Sequence, residues 1–575
     1  MAGIEPKDLL MKNWFPWVTL LLVWAIIIAV VNPRGEFLVN DDWAFVKSLE
    51  AFRALGRITV TGWGPPGAPG GPALLMHLLW GDLFSRIFGF SLTNLRIAVL
   101  TLGILGSCGL LLLLRIAGVR PWLALLGTLT MVANPLFLSE CFTYMTDVTF
   151  ASLAIFAVLF LYLGVKKTSV AWIIAGLLLV LASVLTRQIG VVILLAFLVT
   201  CWLHPACAAL GRVRLYLLGL ALVILPWLAY EALLVHLGSS PITQHQVMKN
   251  ILEFPKEKGF PDYLVFIFSS LFFFALGYSA FFVSPLLSGR LLSYLRSRSF
   301  RYLLAVFIIL VVLFELAIIT DLLLPPMIFF GNMLYNFGIG PIILKDTYIL
   351  GIPRLAVIST AAYYLLVSWA ALALGVMLAL FLGYVRQWRQ TRFAGEDRAN
   401  SFLHSLVLLA VLFYLGIITL TYFEDRYLIP VMIFLVIWLT LDRATALGDA
   451  ETFWKMLLGF VMVICLGGWS TCQVHDFMEL KRSQKQAQDY ALQTLGANPC
   501  FMDGGFEFNG YYCYRNDFQP PKGLSWWWVS REDYLITLGP LPGYRVLRIF
   551  LFQRYCGPPG AIHLLQPLNP ETPGG

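Results

Sequence analysis

Charge is scarce in this sequence: Asp, Glu, Lys and Arg make up 13% of its 575 residues, against 59% hydrophobic. Mean hydropathy is +0.79. A water-soluble domain of that composition would expose large apolar patches, so lipid must be the solvent for most of the chain. Other absences narrow the class further. No HExxH, no CxxC and no paired histidine spacing occurs, which argues against a tight zinc site. No stripe interleaves aromatic with basic residues, so the net charge of +8 is not a nucleic-acid signal. No clear internal repeat of the kind that marks secondary transporters is present. The first apolar run, Trp14 to Val31, lacks a small-residue cleavage site before Asn32 and reads as a retained helix, not a removed signal peptide.

What remains is a series of apolar runs, most of about 17 to 25 residues and so long enough for a hydrocarbon core of ~30 Å. They fall near 14–31, 93–114, 121–137, 148–165, 169–185, 191–203, 215–235, 263–285, 302–323, 357–383, 402–422, 428–446 and 456–471. The expectation is an all-α polytopic membrane protein of about thirteen spans, with its termini on opposite faces. With the N-terminus in the cytoplasm, the inner loops hold Arg115 and Arg120, Lys166 and Lys167, Arg212 and Arg214, the Arg290 to Arg301 group and the Arg386 to Arg398 group. That distribution follows the positive-inside rule. Residues 1–471 form the transmembrane domain, with a first outer loop over 32–92, and 472–575 form a small mixed α/β domain outside the cytoplasm.

In the first outer loop, Ala73 to Trp80 is apolar but interrupted by His77, and it suits a helix lying at the interface with Trp80 as its anchor. The Gly- and Pro-rich Gly62 to Pro72 is irregular, as either a mobile flap or a plain linker. In the C-terminal domain Tyr544 to Phe552 is strand-like, and Trp526, Trp527 and Trp528 belong to a core or an interface. Cys500 and Cys513 are the favoured disulfide pair.

Polar residues at the outer ends of spans are costly, and function is the default reason for them. Three groups stand out: Asn40, Asp41, Asp42 and Trp43 after the first span; Thr146 and Asp147, preceded by Glu140 and Tyr144, at the fourth; and the outer arginines Arg187 in TRQIG and Arg426 in YFEDRYLIP. Sugar transfer from a polyprenyl phosphate needs a base for the acceptor hydroxyl and cations for the leaving phosphate. One carboxylate suffices for a single displacement that inverts the anomeric centre. Arginine offers phosphate a planar fork of donors. Two neighbouring carboxylates with Asp147 are also a set that a divalent cation accepts.

At these residues the chain resembles the GT-C superfamily, particularly bacterial relatives of protein O-mannosyltransferases and aminoarabinose transferases (glycosyltransferase family 39-like). The NDDW and TD segments carry most of the resemblance, which spans roughly residues 10 to 440. It implies a polyprenyl-phosphate sugar as donor and an acidic pair that supplies the base, which makes Asp41 the first choice and Asp42 the alternate. Asp147 then holds the acceptor or an ion, while Arg187 and the EDRYLIP arginine, Arg426, face the lipid phosphate. The second acid of the pair is Asp where Glu is common, and the C-terminal domain matches no member, so sugar and acceptor stay open. The competing readings are a polytopic transporter or flippase, for which Glu315 and Asp321 are the best residues, and a non-catalytic envelope-assembly protein.

Overall fold

The computed structural model describes residues 14–56, 73–237, 276–295, 333–335, 338–352, 359–391, 398–419, 424–446, 452–515 and 517–568, with Arg354 and a few isolated residues between 259 and 312. Gly62 to Pro72, Glu315, Asp321, most of the first part (263–277) of the expected span 263–285 and nearly all of the expected span 302–323 lie outside the described residues.

Among the described residues six helices are long and apolar enough to cross a membrane: Leu92–Ile116, Thr146–Lys166, Arg212–His236, Ser368–Arg386, Arg398–Thr419 and Met456–Thr494. Five shorter apolar helices join them, Phe15–Val31 among them. This is a multi-pass membrane protein. The first helix, α1 (Phe15–Val31), shows why. It buries Leu20, Trp24, Ile27 and Val31 along one stripe, yet leaves Val18, Leu21, Leu22 and Ile26 exposed. Both faces are apolar, one for neighbouring helices and one for lipid.

A helix, α2 (Asp42–Leu55), begins at the second residue of the Asp pair. Trp43, Phe45, Val46 and Leu49 give it a buried stripe. The expected interfacial segment is α3 (Leu75–Phe88), where Trp80 donates its indole N–H to the Ala98 carbonyl at 2.9 Å. Ser91 caps α4 (Leu92–Ile116), accepting the Asn94 N–H at 3.1 Å. After α5 (Pro121–Val132), Asn134 caps the short α6 (Pro135–Glu140) and Pro135 starts it. Membrane helices pack through small residues because no hydrophobic force drives them together in lipid. At Gly106 of α4, a Cβ would come 2.5 Å from Ser152 Oγ of α7 (Thr146–Lys166), so only glycine permits that approach.

Helices α8 (Val170–Val184) and α9 (Val191–Leu203) follow, separated by the turn that carries Arg187. Beyond them, α10 (Tyr278–Leu295), α11 (Thr360–Thr391), α12 (Arg398–Thr419) and α13 (Ile429–Ala446) complete the bundle. A two-stranded hairpin, β1 (Leu334–Tyr335) with β2 (Gly338–Ile339), lies before α11.

The last long helix, α14 (Thr452–Asp489), has 38 residues. At ~1.5 Å per residue that is about 57 Å, nearly twice the ~30 Å a hydrocarbon core needs. Its second half therefore projects beyond the bundle, where Lys481, Arg482 and Gln484 replace the apolar residues. Around this stalk sits a four-stranded sheet in the order β3-β4-β6-β5. Its strands are β3 (Met502–Asp503), β4 (Tyr534–Thr537), β5 (Tyr544–Phe552) and β6 (Gly560–Pro567). Only the β3–β4 pair is parallel. Cys500 and Cys513 are joined, flanking β3 and the short helix α15 (Phe506–Cys513). Trp527 and Trp528 are core residues, while Trp526 stays 45% exposed.

Candidate functional site

The site begins at a backbone turn. Asn40 has φ +52°, a left-handed conformation that asparagine tolerates better than most residues. Its N–H donates to Glu507 Oε1 of α15 at 3.1 Å. Asp41 then stands at the N-cap of α2 but caps nothing. Its Oδ2 accepts from Arg426 Nη2 at 2.8 Å. Asp42, one residue on, turns the other way, and its Oδ1 accepts the Tyr144 N–H at 2.9 Å. Neighbours in sequence thus face different partners.

Arg426 comes from the turn before α13. It is 2% exposed and bridges two chain segments, meeting Glu424 at 2.6 Å as well as Asp41. Asp425 anchors that turn by accepting the N–H groups of Met333 and Leu334, at 3.1 and 2.8 Å. Arg187 pairs with Asp147 at the start of α7. Tyr427 joins the two pairs: the Arg187 guanidinium lies 4.8 Å and that of Arg426 5.6 Å from its ring centre. Arginine over an aromatic face is attracted to it, so this tyrosine helps hold both cations. From the sequence Tyr427 had no role of its own; its place beside Arg426 in the turn was the available signal.

The electrostatics follow from burial. Desolvation pushes the Asp41 carboxyl up to about 6, against the pull of Arg426. Burial pushes Asp42 up to about 7, with the Tyr144 N–H opposing it. Glu140, fully buried at the end of α6, is raised well above its ordinary value by burial and then by Asp147. Burial opposes the charge of Arg426 too, but Glu424 and Asp41 outweigh it and keep the guanidinium ionised. Burial thus brings the Asp41 carboxyl up from the ordinary carboxylate range toward neutrality, the range in which a base exchanges protons.

The structure thus gathers four of the five expected site residues, Asp41, Arg426, Asp147 and Arg187, into two ion pairs beside one tyrosine ring, and it places Asp42 against the backbone of Tyr144. A cation-binding trio of Asp41, Asp42 and Asp147 is not what these contacts build, since each carboxylate has a partner of its own. Among the described residues no group of three His, Cys, Asp or Glu is placed to hold a metal ion. His77 is structural, bonded to Thr149 Oγ1 at 2.9 Å and to the Tyr144 carbonyl at 3.2 Å.

No protein-family model and no curated protein matches this chain. Among solved structures it is similar to ArnT from Cupriavidus metallidurans bound to undecaprenyl phosphate, at 13% identity and a TM-score of 0.44, over 87% of this chain and 84% of that one. The apo state of the same protein matches at 15% identity and a TM-score of 0.34 over the same shares. The S. cerevisiae protein O-mannosyltransferase Pmt1-Pmt2 complex bound to the sugar donor matches at 14% identity and a TM-score of 0.30, over 42% of this chain and 34% of that one.

Proposed function

We propose that the chain is a membrane glycosyltransferase that moves a sugar from a polyprenyl-phosphate donor to an acceptor on the outer face, by a single inverting displacement. The observation that carries this reading is the buried pairing of Asp41 with Arg426, beside Arg187 and Asp147 at the outer ends of the helices. A carboxylate for the acceptor proton and two arginines for a phosphate are there together, above apolar helices that suit an isoprenoid tail.

Arg426 Nε makes no hydrogen bond and is buried, so this donor becomes available to an incoming phosphate only as the guanidinium shifts. As the phosphate draws the guanidinium, Asp41 is left to accept the acceptor O–H proton. The acceptor oxygen bonds to the anomeric carbon while the bond from that carbon to the phosphate oxygen breaks. The phosphate keeps the electron pair, and Arg426 and Arg187 stabilise its charge. Asp42 is the less suitable base because its Oδ1 is already committed to the Tyr144 N–H. In this reading the N-terminus is cytoplasmic, and 472–575 is the outer domain, mounted on the projecting half of α14.

Incubating the chain in nanodiscs with a radiolabelled polyprenyl-phosphate-sugar extract tests the proposal. Label should leave the lipid for an acceptor fraction. Movement of intact lipid between leaflets, with no sugar released, would instead identify a flippase.

A further inference from the structure

Two half-buried cysteines, both free thiols in this structure, meet where α14 joins the C-terminal sheet, away from the proposed reaction site. Cys472 lies in the middle of α14, one residue past the expected last span at 456–471. Cys556 lies in the turn between β5 and β6. The two side chains are in hydrogen-bond contact.

A clamp one helical turn along α14 brings them together. Residues four apart share a helix face, so Asp476 stands beside Cys472. Its Oδ1 accepts the Tyr555 N–H at 2.7 Å and its Oδ2 accepts the Cys556 N–H at 2.9 Å, with Arg554 Nε 3.7 Å away. The His475 ring stacks on that of Tyr555 with centres 4.0 Å apart. Farther up the stalk Ser483 Oγ donates to the Phe550 carbonyl at 3.0 Å, so the chain descends along α14 from β5 and reaches the bundle end at Cys556. These contacts hold one thiol against the other without help from the sulfurs themselves.

Two thiols in contact and partly open to solvent are joined where a disulfide oxidant is at hand. The bond between Cys500 and Cys513 in the same domain suits such a compartment. We infer that Cys472 and Cys556 form a second disulfide, which ties the β5–β6 turn to α14 where the helix leaves the bundle. It rests on the extracytoplasmic placement of 472–575 in the reading above, not on the sugar transfer. The oxidant is a disulfide of that compartment, carried by a protein or a small molecule. One cysteine, as its thiolate, attacks a sulfur of the oxidant, which releases one thiolate and leaves a mixed disulfide. The other cysteine gives up its proton, attacks the sulfur of the first and expels the second half of the oxidant. The pair thus loses two electrons and two protons, and the oxidant leaves as two thiols.

Mass spectrometry of the full chain, extracted in the presence of N-ethylmaleimide and digested without reductant, reads the bond directly. Peptides joined through Cys472 and Cys556 should be found, and prior reduction should leave both residues alkylated instead. In Cys472→Ser, Cys556 should become alkylated while Cys500 and Cys513 stay joined. Alkylation of both Cys472 and Cys556 beside an intact Cys500–Cys513 bond would overturn the second disulfide, as would a peptide joining either of them to Cys465. Alkylation of all four would overturn the extracytoplasmic placement and the disulfide with it. The readout needs no transfer, so a chain that carries the bond and moves no sugar keeps the disulfide and loses only the enzyme reading.

Discussion

If Asp41 takes the acceptor proton, Asp41→Asn keeps its size and its contact with Arg426 but removes basicity, and transfer should fall by roughly 10² to 10⁴. Carrier affinity should survive, because the arginines are untouched. Arg187→Ala should chiefly weaken carrier binding, since it removes a charge-assisted contact. Measuring affinity and transfer separately in the two variants checks both, and full transfer by Asp41→Asn would end the mechanism. With its carboxyl pushed up to about 6 by burial, Asp41 should also give kcat/KM an acidic limb near that pH. Asp42 supports a stability prediction. Burial lifts its carboxyl from an ordinary 3.8 to about 7. Between those values the folded chain holds a proton that the unfolded chain releases, so this group's contribution falls as pH rises through that window. Asp42→Asn can still accept the Tyr144 N–H and carries no charge to bury. Its Tm should exceed the wild-type value at pH 8 and match it at pH 4; a lower Tm at pH 8 would show that the charge itself is needed.

Among the elements, α15 does the most for its length. It carries Glu507 against Asn40, and Tyr511 Oη donates to Glu50 at 2.7 Å. Phe506 meets Trp43 edge to face with ring centres 5.9 Å apart, and Trp528 meets it at 5.2 Å. Gly510 lets the helix sit against that indole, where a Cβ would come within 2.5 Å. The C-terminal domain is thus braced on α2, whose first turn adjoins the proposed base. The Cys500–Cys513 bond closes a sequence separation of 13 around this helix, and losing such a loop constraint costs about 2–4 kcal/mol. The double variant Cys500→Ser/Cys513→Ser should unfold its outer domain at lower urea, read by tryptophan fluorescence. Transfer should fall with it, while membrane insertion should not change. Undiminished transfer would mean that the brace does not position Asp41.

On the scale of the whole molecule, the carboxylates, the arginines and the outer domain must all share one side of the membrane. A reporter fused after Gly575 should therefore be exposed outside the cytoplasm, and one placed in the Arg386 to Arg398 loop should be internal. An internal C-terminus would set the site facing the wrong compartment for the proposed acceptor.

Composition and run length by themselves determined that this chain lives in lipid, because no other solvent tolerates 59% hydrophobic residues in unbroken runs. They also marked Asp41, Asp147, Arg187 and Arg426, since charge at a span's end is conspicuous against an apolar background. The strand at Tyr544–Phe552 and the Cys500–Cys513 pair were legible for similar local reasons. Tertiary structure alone decided the partners. Asp41 meets Arg426 across 385 residues and Asn40 meets Glu507 across 467, distances over which no local pattern carries information. Nor does the sequence separate Asp41 from Asp42, because which carboxylate faces the arginine depends on the left-handed turn at Asn40 and on where α2 begins.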